Sequence, residues 1–444
     1  MEQDLTTGSV FKRIVYFSLP YLLSYFLQTL YGMADLFITG QFYGVDTITA
    51  VSNGSQIMHM MTVIIVGLAM GTTVTIGHSV GAKCMEQAEK IIGNTITLFM
   101  GIAVAFTVIL VVLVKPIVVL IATPQEAVAG TSIYLLICFI GIPFITAYNI
   151  ISSIFRGLGD SKSPMYFIGI ACVMNIALDY LFMCAFHMGA AGAALGTVCA
   201  QTFSVLVALW VIRRRKTGIS LKKSDFKIER AVIGQVLKIG IPVALQDGFI
   251  QVAFMIITVI ANSRGVSDAA AVGVVEKVIS ALFIVPSSML ATVSALSAQN
   301  LGAGKEKRAT DTLRYATVIT TIYGVIVAVL IQFIAENVVG IFTSDTTVVT
   351  MGSAYIRSYI WDCIFAGIHF SFSGYFAACG KSYIGFLHNI ISITFVRVPG
   401  SYLASKYFTD TLYPMGLAAP AGSLVSVAIC VTAFILLKRK SRVA

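Results

Sequence analysis

Two aspartates inside otherwise apolar stretches are the residues best placed to do chemistry in this sequence. Asp35 lies late in the run YGMADLFITG, and Asp179 lies in MNIALDYLF with Asn175 four residues before it. A spacing of four puts Asn175 and Asp179 on one face of a helix. Two carboxylates, an amide and a hydroxyl are hard oxygen donors suited to Na⁺. Low dielectric penalises the charged form of a carboxylate, and a proton or a bound cation removes that penalty. An ionised side chain at mid-bilayer costs roughly 2.5–3.5 kcal/mol on insertion scales, so it is rarely carried there without a use. A second set stands in the other half: Asp247, Glu276 with Lys277, Asp362, Arg357 and Arg397. Asp362 either meets a cationic ligand or pairs with Arg397, and Glu276 with Lys277 either forms a local pair or divides between two helix faces. Tyr31, Met33, Tyr148, Met174, Phe254 and Met255 are of the types that line adaptable pockets for flat apolar cations.

Other motifs fail when their context is considered. Gly77-His78-Ser79-Val80-Gly81 has the spacing of a nucleophile elbow, which requires a strand before it. Here it closes an apolar helix, and its counterpart in the second half, Ala298 to Gly302, has no serine. Gly380-Lys381-Ser382 resembles the end of a phosphate-binding loop, but Gly374 is one residue too far upstream. His59, His187, His369 and His388 read as isolated structural residues, and the eight cysteines contain no C-x-x-C pair. The sequence therefore predicts no enzyme, no cofactor and no metal site beyond Na⁺ at the aspartates.

The elements that must hold these residues are membrane spans. Of the 444 residues, 57% are hydrophobic and only 11% charged, too few charges to clothe a water-facing surface of this size. Apolar runs centre near residues 24, 62, 103, 140, 175, 201, 248, 282, 324, 363, 394 and 426. Each is long enough for a hydrocarbon core of roughly 30 Å. The net charge of +10 is carried by alternate connectors, among them Lys83 and Lys90, Arg156 and Lys162, Arg213 to Lys216, Lys305 to Arg308, and the tail with Lys438 to Arg442. The intervening connectors carry acids such as Asp46, Glu126, Asp268, Asp345 and Asp410. That alternation is a topology signal placing both termini in the cytoplasm of a cell-membrane protein, and it gives no reason to expect nucleic acid. The polar link RRRKTGISLKKSDFKIER from Arg213 to Arg230 reads as a cytoplasmic connector with a surface-lying helix. Gly67-x-x-x-Gly71 and Gly192-x-x-x-Gly196 permit close helix contact inside one chain, and a monomer is expected.

The two halves repeat. Gly81-Ala82-Lys83 recurs as Gly302-Ala303-Gly304-Lys305, Leu19-Pro20 as Ile241-Pro242, and the run from Phe155 to Gly159 aligns with Phe376 to Gly380. Each half holds an even number of spans, so both insert with the same orientation. The fold expected is an all-α membrane protein: twelve transmembrane helices in two six-helix lobes, 1–218 and 219–444, related by a pseudo-twofold along the membrane normal.

Several motifs together resemble the multidrug and toxic compound extrusion (MATE) family. They are the first-span proline followed by D-x-F-x-x-G at Asp35 to Gly40, VGAK near residue 80, RGLGDSKSPM at 156–165, N-x-x-x-D at Asn175 to Asp179, GAAGAALGT at 189–197 and QNLGAGKEKRA at 299–309. The resemblance covers nearly the whole chain. It implies export of organic cations or other amphipathic drugs in exchange for H⁺ or Na⁺, and it adds Thr197 to Asp35, Asn175 and Asp179 as the coupling-ion set. Tyr31, Tyr148, Met174, Gln251 and Asp362 are the candidate substrate contacts. The norfloxacin-exporter branch carries a seventh-span glutamate where this chain has Ile250 and Gln251, which moves the expected coupling to the amino lobe. A flippase for a lipid-linked metabolite of the same superfamily is the alternative, and it would draw on Lys277, Arg357 and Arg397 as cavity cations.

Overall fold

The computed structural model describes residues 4–214 and 220–443. Among the described residues there is no strand. In lipid every backbone amide must find its partner within its own segment, and the chain meets that demand with helices throughout. The first six segments are α1 (Val10–Phe42), α2 (Val45–Gly81), α3 (Met85–Leu120), α4 (Val128–Ile140) with α5 (Ile142–Gly157), α6 (Lys162–Asp179) with a π-helical turn Tyr180–Ala185, and α7 (Gly189–Arg214). The second six are α8 (Arg230–Asn262), α9 (Val266–Leu282) with α10 (Ile284–Gly302), α11 (Glu306–Gly340), α12 (Thr346–Tyr359) with α13 (Asp362–Ala378), α14 (Tyr383–Ser392) running through a π-helical turn Ile393–Arg397 into α15 (Val398–Tyr407), and α16 (Tyr413–Val443). These are the twelve segments expected, centred where the hydropathy placed them.

By length and apolarity alone, eight of the described helices can cross a membrane, or nine with the pair α4–α5 counted as one span. The three segments that fall short are α1, α12–α13 and α14–α15. They are also the segments that carry Asp35, Asp362 with His369, and His388 with Arg397, every one of them buried. Polar side chains lower the mean hydropathy of a span without facing lipid, because they are folded inward. The 50° bend between α4 and α5 has a local cause. Pro143 at the start of α5 cannot donate into the preceding turn, and a side chain at Gly141 would strike Val198.

Contacts group the chain into two compact units. One holds Tyr16–Gly240 with Gly302–Gly304, and the other holds Ile241–Leu301 and Lys305–Ala444 with Thr7–Val15. The expected boundary at 218–219 and the cations Arg215 and Lys216 lie outside the described residues, as do the side chains of Lys440 and Arg442. The rest of the polar link folds as one 3-10 turn, Lys223–Phe226, in place of a surface helix. It is held by side chains of α3: Asn94 donates to the carbonyl of Asp225 (3.1 Å) and accepts from the amide of Glu229 (2.7 Å), and Thr97 donates to the carbonyl of Phe226 (3.0 Å). Gly71 sits against the backbone of Val236 and Gly240, so this small residue serves packing within the chain. Ser79 is an interior residue of α2 whose hydroxyl bonds the carbonyl of Thr75 (3.3 Å), which rules out a nucleophile elbow there.

Candidate functional site

Three helices of the first unit bring the four expected residues together. Asp35 comes from α1, Asn175 and Asp179 from the last two turns of α6, and Thr197 from α7. Asp35, Asn175 and Asp179 are 3%, 2% and 0% exposed. The Thr197 hydroxyl donates to Asp35 Oδ2 (3.2 Å), while Asn175 and Asp179 adjoin the same carboxylate without a hydrogen bond of regular geometry. Among the described residues, Asp35 Oδ1, both oxygens of Asp179 and both polar atoms of the Asn175 amide find no hydrogen-bond partner. Among the described residues neither aspartate makes an ion pair. Two adjoining carboxylates without a counter-cation are mutually repulsive unless one proton or one cation lies between them. The site can therefore hold H⁺ or a small hard cation.

Local structure aims the groups. Asp179 is the last α-helical residue before the π-helical turn, whose wider hydrogen-bond ring rotates the chain beyond it. Tyr43 locks that turn. Its hydroxyl donates to the carbonyl of Met183 (2.7 Å) and accepts from the amide of Gly189 (2.9 Å), joining the end of α6 to the start of α7. Thr39 donates to the backbone carbonyl of Asp35 (2.6 Å).

Next to the aspartates is a cavity of about 120 Å³ walled by α1, α2, α4, α5 and α7. Asp35 and Thr197 open into it, together with Tyr31, His59, Tyr134, Asn149 and Gln201. Of those last five, Tyr134, Asn149 and Gln201 are not singled out in the sequence, and His59 reads there as an isolated structural residue. Each is an ordinary polar or aromatic residue in an apolar span, and only the rotation of its helix turns it toward the cavity.

The MatE family profile matches the chain twice, at residues 20–181 and 242–403, once in each half. The chain belongs to the MatE family. Among relatives, a probable multidrug resistance protein of Bacillus subtilis, YpnP, is 30% identical over 415 residues, covering 93% of both chains. A second from the same organism, YoeA, is 26% identical over 432 residues, with 96% of this chain and 93% of the relative covered. A solved structure described as an outward-facing multidrug resistance MATE transporter superposes with a TM-score of 0.92 at 20% identity, covering 99% of each chain, and so shares the fold. As a MatE protein the chain is a multi-span membrane transporter of two helical lobes and not an enzyme.

In this MatE chain the five candidate substrate residues come from both units. Tyr31 lines the cavity beside Asp35. Tyr148 is buried in a cluster with Phe155 and Phe167, its hydroxyl 3.5 Å from the carbonyl of Pro164. Met174 faces a separate apolar groove with Leu23 and Phe203. Gln251 and Asp362 belong to the second unit, Gln251 half-buried on α8 and Asp362 fully buried at the start of α13. The second-half charges also sort themselves. Arg357 bonds Glu336 (3.2 Å) with both side chains substantially exposed. Glu276 turns inward and accepts from Thr258 (3.2 Å), while Lys277 is exposed, so the two divide between faces. Arg397 and Asp362 are not within ion-pair distance. The guanidinium bonds the Tyr359 hydroxyl and lies 5.1 Å from the centre of the Phe254 ring. His369 and His388 are not isolated, since their rings are 5.3 Å apart and His388 bonds Ser373 (2.9 Å).

Gly196 gives a direct test of the first-unit geometry. A methyl group there would overlap Asp179 Oδ1, so this fully buried carboxylate would have to shift. Gly196→Ala is expected to cut transport by about tenfold or more, the cost of displacing a buried side chain by 1–3 kcal/mol. Efflux at equal membrane abundance measures it, and unchanged efflux would show that Asp179 moves aside freely.

Proposed function

We propose that this MatE chain is a secondary active exporter that moves amphipathic or cationic drugs out of the cell in exchange for H⁺ or Na⁺. Asp35, Asn175, Asp179 and Thr197 form the coupling-ion site, and no cofactor takes part. The observation that carries the reading is the adjoining pair of buried aspartates with no counter-cation. Two full charges at a contact separation of about 4 Å would repel by on the order of 4 kcal/mol at an effective dielectric of about 20. Loading one cation removes that repulsion. An energy of this size shifts a two-state equilibrium by about a thousandfold, enough to bias a transporter between its two faces. The multidrug names of the Bacillus relatives agree with drugs as the cargo.

Both termini are assigned to the cytoplasm and the protein to the cell membrane, on the strength of the basic connectors. The flippase alternative loses support from the placement of its cations. A cavity for a pyrophosphate-linked lipid needs several buried positive charges, whereas of the three candidates only Arg397 is buried, Lys277 being exposed and Arg357 paired with Glu336.

The test is transport by the purified protein in liposomes. An imposed pH gradient or an imposed Na⁺ gradient is expected to drive ethidium in the direction opposite to the ion, and collapsing that gradient should stop it. Ethidium movement indifferent to both gradients would remove the antiport reading.

A further inference from the structure

At one end of the first unit three cations rest on aromatic rings. The Lys162 ammonium is 5.8 Å from the centre of the Tyr16 ring, the Arg156 guanidinium 4.1 Å from that of Tyr21, and the Arg214 guanidinium 5.4 Å from that of Trp210. Lys162 opens α6 and Arg214 closes α7. The two helices run antiparallel side by side, with Ser204 bonded to the carbonyl of Phe167 (2.8 Å), so these cations share one end of the unit. Aromatic rings with basic side chains at the end of a span mark the headgroup level of a bilayer. Asp160 sits close in sequence, but its carboxylate caps α6 through the amides of Lys162 and Ser163 (2.9 and 3.0 Å), and Lys162 makes no ion pair with it.

An apolar groove of about 510 Å³ is lined by Leu23, Leu27, Tyr166, Gly169, Val173 and Phe203. Gly169 makes the dent, because a methyl group there would meet only the tip of Leu27, at 3.8 Å. Tyr16, Leu23 and Leu27 share one face of α1, and Lys162, Tyr166, Gly169 and Val173 share one face of α6, so cations and groove form one track. From Lys162 to Val173 the track runs roughly 16 Å at 1.5 Å per residue, about the depth of one leaflet.

We propose that this track is a binding site for one anionic glycerophospholipid. Its phosphate sits at Lys162 and Arg214 and one acyl chain fills the groove beside Gly169. The length of one leaflet fits an acyl chain, and cations at the headgroup end select a phosphate that carries net negative charge. Each basic side chain near an anionic headgroup favours it by about fivefold.

Native mass spectrometry of the full chain, delipidated and offered phosphatidylglycerol or phosphatidylcholine of matched chain length, reads the site directly. With two cations at the phosphate, the wild type is expected to retain phosphatidylglycerol on the order of 25-fold better than phosphatidylcholine. Lys162→Gln should shrink that preference about fivefold and leave phosphatidylcholine retention unchanged. Gly169→Phe should fill the groove and weaken retention of both. Lys162 is exposed and Gly169 half-buried, and if Gly169→Phe fails to fold, the Lys162→Gln comparison alone decides. Equal retention of the two lipids by the wild type, or an unaltered preference in Lys162→Gln, overturns the proposal. Ethidium binding that Gly169→Phe abolishes, without any lipid preference, would assign the groove to cargo and overturn it as well.

Discussion

Asparagine at Asp35 or at Asp179 is expected to lower coupled export by on the order of 100-fold while leaving the protein folded and its cargo bound. Asn has nearly the shape of Asp, so the packing of side chains that are 3% and 0% exposed is kept. What is lost is the charge. With one carboxylate replaced by an amide, the repulsion between two anions is gone, and loading or unloading a cation no longer changes the energy of one conformation relative to the other. Coupling needs that difference, since a ligand of equal affinity for both states shifts nothing. Ethidium efflux from an efflux-deficient host, at matched membrane abundance, measures the turnover. Fluorescence of ethidium bound to the purified variants measures the cargo site separately. Efflux at wild-type rate from both variants would leave the adjoining aspartates as a structural oddity and end the mechanism. Loss of efflux together with loss of all cargo binding would point to misfolding, and circular dichroism of the same samples tells the two apart.

Removal of Arg264 is expected to be the most destabilising single change outside the aspartate site. Its side chain is 6% exposed and bonds Asp268 (2.7 Å), together with the carbonyls of Ser405 (2.9 Å), Phe408 (2.9 Å) and Thr409 (2.9 Å). One guanidinium thereby closes the last turn of α15 and the turn that follows. Arg264→Ala leaves a carboxylate and three carbonyls short of partners, which for a buried charge network costs about 3–5 kcal/mol. Arg264→Lys should recover only part of that, because a single ammonium cannot reproduce a planar fork with five donors. Thermal unfolding of the detergent-purified protein, followed by tryptophan fluorescence, gives the order expected: wild type above Arg264→Lys above Arg264→Ala. An apparent Tm for Arg264→Ala equal to that of the wild type would mean that these turns hold themselves.

Arg264 also shows where reading the sequence stops. In the chain it is one more cation in a connector, and connector cations report topology. Its role depends on carbonyls about 140 residues away, which no local pattern announces. The same holds for Tyr43, whose two bonds clamp the π-helical turn after Asp179, and for Gly196, which looks like a packing glycine until the α6–α7 crossing puts it against a carboxylate. Met174 is of a side-chain type that suits an adaptable pocket, and it precedes Asn175 by one residue. One residue of helical rotation, about 100°, turns it away from Asn175 and toward the groove that Leu23 and Phe203 also line.

The residues alone determined the number of spans, their order and the doubling of the chain, because a bilayer admits only segments of a set length with satisfied backbones. They also determined which carboxylates deserve notice, since the cost of a charge in hydrocarbon is a property of depth, and depth is written along the chain. The tertiary structure decided which polar side chains meet. Hydropathy measures position along the membrane normal and says nothing about the rotation of a helix about its own axis. That rotation set Asp35 against Asp179 and Thr197, turned Glu276 inward and Lys277 outward, and left Arg397 beside Tyr359 and out of ion-pair reach of Asp362.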